Sequence, residues 1–378
     1  MNLDTGFKSI AFCGGGTGGH IYPGIAVIMN IRAAFNGGQD IRIFWIGSDS
    51  GLDRTILEKA GIEFYGIKSG KLRRYFSLQN FFDIFKIIAG CFSALKILKR
   101  EKVNFLFSKG GFVSVPPVIA ASFLHIPVWT HESDFSPGLA TKINARFADK
   151  ICTAYEKTAM YFNAANRLKI LLCGNPVRPV FYSASPSKGK EFIKSIVEKK
   201  NGNVNLFEQK KIILVLGGSQ GAKEINDLIK RCIDDLSQNF FVVHQTGNEK
   251  IDLAKKNYLS IQYIYEEMPD VLAAADLVIG RSGAGTVWES AAIGLPMILI
   301  PLCGSGTRGD QVENAKYFDD HGAAIMLLHP AAKDLCEKAT ALLKDESKLQ
   351  SMAQKSKEIG RLNGAKIIAD AIIHALRG

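Results

Sequence analysis

The chain of 378 residues contains no Cys-x-x-Cys pair; its seven cysteines, at 13, 91, 152, 173, 232, 303 and 336, stand far apart. That spacing excludes a zinc ribbon or dithiol redox motif and fits reduced, buried thiols of a cytosolic protein. No Asp-x-Asp pair occurs, so a carboxylate-held metal is not expected. No leader segment is expected either: Asp4 precedes only the short apolar run Ile10-Ala11-Phe12, which places the chain in the cytoplasm. The greasiest tract, 68–102, is broken by charges at 83, 86 and 96, which argues against a membrane-spanning helix. Acidic residues are outnumbered, 36 to 47, leaving a net charge of +11. A surplus of that size points to an anionic partner: nucleic acid, anionic lipid or a phosphorylated substrate.

What is present reads as two parallel α/β domains, since short apolar runs alternate with longer segments of helical period. In the first half the strand candidates are Ser9–Cys13, Ile41–Ile46, Phe105–Phe107, Pro127–Thr130 and Lys169–Cys173, with helices over Gly24–Ala34 and Gly138–Phe147. A second series follows Gly174-Asn175-Pro176, with strands at Ile212–Leu216, Phe240–Gln245, Leu277–Ile279 and Met297–Ile300. The Lys188–Lys211 region is lysine-rich without a tight apolar pattern at its start, and the linker is placed near Asn175–Ser185. Lys357–Leu376 has the period of one or two amphipathic helices. Two such halves facing each other predict a ligand cleft at the carboxyl ends of their strands.

Three strand–glycine–helix junctions carry the chemistry. They are Gly14-Gly15-Gly16-Thr17-Gly18-Gly19-His20, with a helix expected from near Pro23, then Gly217-Gly218-Ser219-Gln220-Gly221-Ala222, and Gly280-Arg281-Ser282-Gly283-Ala284-Gly285-Thr286. Glycines let a ligand approach the backbone, and the N–H groups of a following helix favour phosphate. Glycines 14, 16 and 19 satisfy the dinucleotide pattern, but the acidic residue expected at the end of the second strand is missing: that strand ends Gly47-Ser48, with Asp49 late. A nicotinamide enzyme is therefore not expected. The second junction also reads G-x-S-x-G, the nucleophile elbow of hydrolases, with Asp276 and His321 as available partners. A hydrolase leaves the other two junctions unexplained.

His20, at the end of the first loop, is the candidate general base, because an imidazole there can accept a proton from an attacking hydroxyl. His131-Glu132 follows a strand end and is expected to orient or assist it. Glu289, one turn beyond Thr286, can accept hydrogen bonds from two ribose hydroxyls, although a solvated helix-start glutamate is the plain alternative. Asp310 and Gln311 could grip sugar hydroxyls or simply start a helix. Arg178, at the domain junction, could reach a diphosphate. With no metal indicated, arginine and helix dipoles must stabilise a leaving group.

Residues 68–102 hold nine Lys or Arg against Asp83 and Glu101, so this tract supplies seven of the eleven excess positive charges. Phe76, Leu78, Phe81, Phe82, Ile84, Phe85, Ile87, Ile88 and Phe92 lie between them. A helix lying in the interface of an anionic leaflet is expected; a core helix with a basic face is the alternative. No nucleic-acid motif accompanies the charge, so nucleic acid is not expected.

The runs Gly14–Gly24, Gly110-Gly111-Phe112-Val113-Ser114, His131-Glu132-Ser133-Asp134, Gly174-Asn175-Pro176-Val177-Arg178, Gly217–Ala222, Arg281–Glu289 and Asp310-Gln311 together resemble the MurG family of bacterial cell-wall glycosyltransferases, in order and over nearly the whole chain. The resemblance implies a GT-B fold: a Rossmann-like acceptor and membrane-binding domain over 1–177, a UDP-sugar domain over 178–360, and a terminal helix over 361–378 returning to the first. It implies inverting transfer of GlcNAc from UDP-GlcNAc to lipid I, with no cofactor and no obligatory metal. It also implies peripheral attachment to the cytoplasmic face of the cell membrane, with other cell-wall synthesis proteins as further partners. By analogy Thr17, Gly18 and Gly19 face the diphosphate and acceptor, with His20 and Glu132 as the catalytic pair. Arg178, Ser219, Ala284, Gly285, Thr286, Glu289 and Gln311 contact the donor, and Tyr265 falls where the family places a backbone contact to uracil. Asp134 occupies a donor-side position where many members have asparagine. Phe112 stands where many have tyrosine, which rules out a hydroxyl role there.

Overall fold

A computed structural model of the protein describes residues 8–16, 18–35, 41–49, 52–70, 78–200, 209–217, 222–253, 255–304 and 307–377. The chain divides into two compact units, residues 1–179 with 363–378, and residues 180–362.

The first unit alternates strands and helices: β1 (Lys8–Cys13), α1 (Gly18–Ala34), β2 (Ile41–Ser48), α2 (Leu52–Lys59), β3 (Glu63–Ile67), α3 (Leu78–Arg100), β4 (Phe105–Ser108), α4 (Val115–Phe123), β5 (Val128–Glu132), α5 (Leu139–Asn144), β6 (Lys150–Thr153), α6 (Ala164–Arg167) and β7 (Ile170–Leu172). All strands pair in parallel, in the order β3-β2-β1-β4-β5-β6-β7. Alternate residues of a strand point to opposite faces. Ile10 and Phe12 therefore join a core with Ile21, Ile25 and Trp45, whereas Ala11 and Cys13 join one with Ala94, Leu98, Leu106 and Val118.

The second unit begins in α7 (Pro179–Tyr182) and continues with α8 (Pro186–Lys199), β8 (Ile212–Leu216), α9 (Lys223–Asn239), β9 (Phe241–Gln245), β10 (Tyr258–Ile261), α10 (Met268–Ala274), β11 (Leu277–Gly280), α11 (Ala284–Ile293), β12 (Met297–Leu299), α12 (Asp310–Asp320), β13 (Ala324–Met326), α13 (Ala332–Lys344) and α14 (Glu346–Gly360). Its parallel sheet runs β10-β9-β8-β11-β12-β13. The last helix, α15 (Gly364–Arg377), belongs to the first unit, where Ala365, Ile368, Ala369 and Ile372 enter the core with Ile21 and Ile28.

Two local readings need correction. α1 begins at Gly18, five residues before Pro23. Pro23 lies in the second turn, where the hydrogen bond it forfeits is the one to the carbonyl of Gly19; the glycine loop, not the proline, sets the start. The lysine-rich segment opens with α8, capped by the Ser185 hydroxyl accepting from the Lys188 amide and burying Gly189, Ile193 and Val197 at intervals of four. Its stripe is hidden from an apolar count because its first member is glycine.

Candidate active site

In each sheet the strand order reverses once, between β1 and β4 and between β8 and β11. Parallel sheets bind ligands outside the carboxyl ends of the strands at such points. Gly14–Gly16 after β1, Gly217 after β8 and the turn from β11 into α11 stand there.

In the first unit, Gly14, Gly15 and Gly16 adopt φ of 150°, 151° and 90°. The Trp45 indole donates to the Gly14 carbonyl at 3.0 Å. Both oxygens of the buried Asp53 carboxylate, from the start of α2, accept from the Gly16 amide at 3.0 and 3.3 Å. A Cβ on Gly15 would meet Asp53 Oδ2 at 2.1 Å. The loop thus carries an internal anion, and burial raises that carboxyl above its ordinary range, opposed by the Gly16 hydrogen bond. Gly18, Gly19 and His20 form the first turn of α1, with His20 half-buried; Thr17 lies outside the described residues. The His20 ring rests against the turn after β4: a Cβ on Gly111, where φ is 77°, would fall 2.9 Å from its Cδ2. Phe112 packs on Gly16, its Cε1 3.0 Å from where a Cβ would be.

Beneath this turn runs a polar network. Ser108 Oγ accepts from the Gly110 amide and from Asn144 Nδ2, and Asn144 Nδ2 also reaches Ser114 Oγ at 2.8 Å. Buried Glu132 holds the loop after β5: its Oε1 accepts from the Asp134 amide at 3.1 Å and its Oε2 from the Gly138 amide at 3.0 Å, while Thr141 bonds the side chain as well. Burial, then the Asp134 charge, raises its pKa. His131 is buried, with Nε2 donating to the Gly174 carbonyl at 3.1 Å. Burial, reinforced by the Lys109 ammonium, keeps it well below the usual imidazole range. These bonds make Glu132 a holder of the loop after β5 and His131 a tie from the end of β5 to Gly174, after β7. Asp134 is half-buried on that loop. The half-buried Arg178 guanidinium lies 5.0 Å from the Tyr22 ring centroid, a cation–π contact.

In the second unit, α11 starts with Ala284, Gly285 and Thr286, and its N-cap, Gly283, supplies no side-chain hydrogen bond. A Cβ on Gly283 or Gly285 would meet nothing within 4 Å. The start of the helix therefore leaves room for a ligand against its backbone, and a helix N-terminus favours phosphate. Glu289 follows one turn on, half-buried. Gln311, at the start of α12, is tied in: its Oε1 accepts from the Leu302 amide at 2.9 Å, and its carbonyl accepts from Ser282 Oγ at 2.7 Å. Asp310 pairs with Arg308 at 2.5 Å. Arg281 braces the whole group, donating to the carbonyls of Ile300 and Pro301 at 3.0 and 3.1 Å and to Glu224 at 2.5 Å. Tyr265 is 70% exposed and stacks on Tyr263, and the neighbouring Ile264 amide donates to Gln245 Oε1 at 2.9 Å. Ser219 lies outside the described residues.

The hydrolase alternative fails on geometry. Asp276 accepts from the Ile212 amide at 2.7 Å, at the amino ends of β8 and β11, opposite the Gly217 end. Sequence reasoning missed Asp53, Lys109, Trp45 and the bracing role of Arg281. A lysine directly after the apolar strand β4 and just before two glycines was the one local signal among them.

On α3, Ile84, Phe85, Ile88 and Phe92 are 48, 57, 47 and 69% exposed. Positions 84, 88 and 92 recur every four residues, so they form one stripe. Lys86, Lys96, Lys99 and Arg100 are exposed on the same helix, while Ala94 and Leu98 face the core. Among the described residues no helix is long and apolar enough to cross a membrane. Phe76 and the charges at 71, 73 and 74 lie outside the described residues, as do the side chains at 78–82.

Comparison with known proteins settles the family. Residues 10–153 match the glycosyltransferase family 28 N-terminal domain, and residues 212–371 the C-terminal domain. This chain belongs to glycosyltransferase family 28, in its MurG branch. A Treponema denticola protein named "UDP-N-acetylglucosamine--N-acetylmuramyl-(pentapeptide) pyrophosphoryl-undecaprenol N-acetylglucosamine transferase" is 44% identical over 96% of both chains. A Clostridium botulinum protein of that name is 38% identical over 97% of this chain and 98% of its own length. Among solved structures, the Acinetobacter baumannii MurG crystal structure matches with a TM-score of 0.72 at 26% identity, covering 97% of this chain and 99% of that one. A Neisseria meningitidis UDP-GlcNAc 2-epimerase, at 16% identity and a TM-score of 0.65, shares the fold alone. The family 28 chain is thus a glycosyltransferase of GT-B fold, built from two Rossmann-like units.

Proposed function

We propose that the protein transfers N-acetylglucosamine from UDP-N-acetylglucosamine to lipid I, the undecaprenyl-pyrophosphoryl N-acetylmuramyl-pentapeptide, giving lipid II for peptidoglycan. The observation that carries this is the 44% identity over 96% of the chain to a relative bearing that activity in its name. In this reading the acceptor C4 hydroxyl attacks the anomeric carbon, the bond from that carbon to the UDP oxygen breaks, and configuration inverts. His20 takes the hydroxyl proton. Its place in the first turn of α1, beside the exposed Gly19 and the 110–111 turn, supports that role. Thr17, Gly18 and Gly19 face the acceptor diphosphate. The open start of α11, at Ala284, Gly285 and Thr286, takes the UDP phosphates together with Ser219 and Arg178. Glu289 accepts from the ribose hydroxyls, Gln311 contacts the sugar, Tyr265 lies at the uracil and Asp134 on the donor side. Glu132 serves by holding the 132–138 loop, as its three hydrogen bonds indicate.

The exposed stripe of α3, with its flanking lysines, supports peripheral binding to an anionic membrane on the cytoplasmic side, where the lipid-borne acceptor is presented. The test is UDP release and sugar incorporation with purified protein, UDP-GlcNAc and a lipid I analogue, with and without EDTA. Transfer in both arms establishes donor, acceptor and metal independence. Donor binding with no transfer to lipid I, but transfer to another lipid such as diacylglycerol, would overturn the acceptor assignment.

A further inference from the structure

Lys109 directly follows β4 and is 3% exposed. Its backbone amide donates to the Cys13 carbonyl at 2.8 Å, which seats it beside the first glycine loop. Its ammonium donates to Ser133 Oγ at 2.7 Å, and the Ser133 hydroxyl donates onward to Asn175 Oδ1 at 2.6 Å. Two residues from Lys109 stands Gly111, on which the His20 ring rests; three residues beyond Asn175 stands Arg178. One buried cation therefore links the turn under His20, the loop after β5 and the segment carrying Arg178. Neither the proposed proton transfer nor donor binding uses it.

The charges around it explain why a lysine is there. Glu132, at the end of β5, and Asp134, on the following loop, both act on it as negative charges, and Glu132 and Asp134 repel each other. His131 faces it too, neutral through its own burial, as do the thiols of Cys152 on β6 and Cys173 after β7, and burial raises the Cys173 pKa. Without the ammonium the pocket would hold two uncompensated carboxylates, an unfavourable state in a low-dielectric site. Burial, the largest influence, lowers the Lys109 pKa to about 8 against the pull of those carboxylates.

We propose that Lys109 is a positioning residue of the acceptor half-site, keeping the turn under His20 in register only while it carries its charge. This rests on the assignment of the first unit to the acceptor. In a pH series on the full chain, kcat/KM for the lipid I analogue falls ~10–100-fold on the alkaline side, the scale of a small misplacement of reacting groups, with a midpoint near 8. UDP affinity, measured by calorimetry, stays level over the same range. Lys109→Met, similar in length and neutral, has the low value at every pH with unchanged UDP affinity. Lys109→Arg, which does not deprotonate, loses the alkaline limb. An acceptor-independent reading comes from NMR of the lysine side chain: its resonance titrates near 8, the Gly110 and Gly111 amides shift with the same midpoint, and both effects vanish in Lys109→Met. If lipid I is not the acceptor, the NMR titration persists without transfer, so only the acceptor assignment falls. A Lys109 midpoint at the ordinary lysine value, amides that ignore it, or a Lys109→Met enzyme with normal acceptor kinetics would overturn the proposal.

Discussion

Replacing Glu132 by glutamine separates a residue that holds a loop from one that moves a proton. Each oxygen of Glu132 serves a different amide, Asp134 at 3.1 Å and Gly138 at 3.0 Å, with Thr141 bonded as well. Glutamine keeps one oxygen and puts an NH2 group where the other was, so one backbone N–H faces another donor in a buried site. An orphaned buried donor costs ~1–3 kcal/mol. Relief of the buried charge, whose pKa is raised chiefly by desolvation, offsets part of that. In a unit of this size each kcal/mol lowers the melting temperature by roughly 2–4 °C. The expected outcome is a loss of several degrees in the first unit, a higher KM for the acceptor, and kcat within about tenfold of the parent with the same pH profile. Thermal melts and kcat and KM against pH, with Glu132→Ala as the more severe companion, make the check. If Glu132→Gln melts like the parent yet loses ~10²–10⁴ in kcat together with an acidic limb, the reasoning is refuted and Glu132 is the base.

His20→Ala is expected to lower kcat by ~10²–10⁴ with UDP affinity nearly intact; a smaller kinetic loss reassigns the base. Asp53→Asn behaves unlike Glu132→Gln, because both Asp53 oxygens address the same Gly16 amide and one suffices. Its unfolding free energy should lie within ~1 kcal/mol of the parent at neutral pH. Since burial raises the folded pKa of Asp53 above its unfolded value, the folded state binds more protons in that window. The contribution of Asp53 to stability therefore falls as pH rises through it, and acid titration of Asp53→Asn against the parent should show that slope removed. Glu289→Ala should weaken UDP-GlcNAc binding by ~1.5–3 kcal/mol, the worth of hydrogen bonds to a charged group; unchanged donor affinity in calorimetry would take it out of the ribose site. Phe85→Ser with Phe92→Ser should reduce sedimentation with anionic vesicles by ~10²-fold or more, from ~1.5–3 kcal/mol per buried ring, while activity on a short-chain soluble acceptor persists. Equal partitioning would assign the stripe elsewhere.

The strands were legible because a parallel sheet buries both faces, so β1, β2, β8 and β11 read as continuous apolar runs. The glycine junctions were legible because each follows such a run directly. α8 was obscured by Gly189 in its buried stripe, and β3, an edge strand in which only Ile67 is buried, left a faint trace. Among the site candidates, positions within a junction could be proposed from sequence: His20, Ala284 to Thr286, Glu289. Residues acting on a junction from elsewhere could not. Asp53 reaches Gly16 across 37 residues, and Lys109 reaches Ser133 across 24.

By itself, then, the sequence determined what depends on neighbours in the chain: two parallel α/β units, three glycine junctions opening helices, a basic and greasy helix, and motifs specific enough to resemble one family. Tertiary structure alone decided which side chains answer which backbone amides. Glu132, drafted from sequence as a catalytic assistant, is bonded to the amides of its own loop; Asp53, unremarked there, fills the first glycine loop; Lys109 lies buried against Ser133, under the charges of Glu132 and Asp134. The physical reason is that burial and hydrogen bonding set the work of an ionisable group, and both are properties of distant segments brought together, which no local pattern encodes.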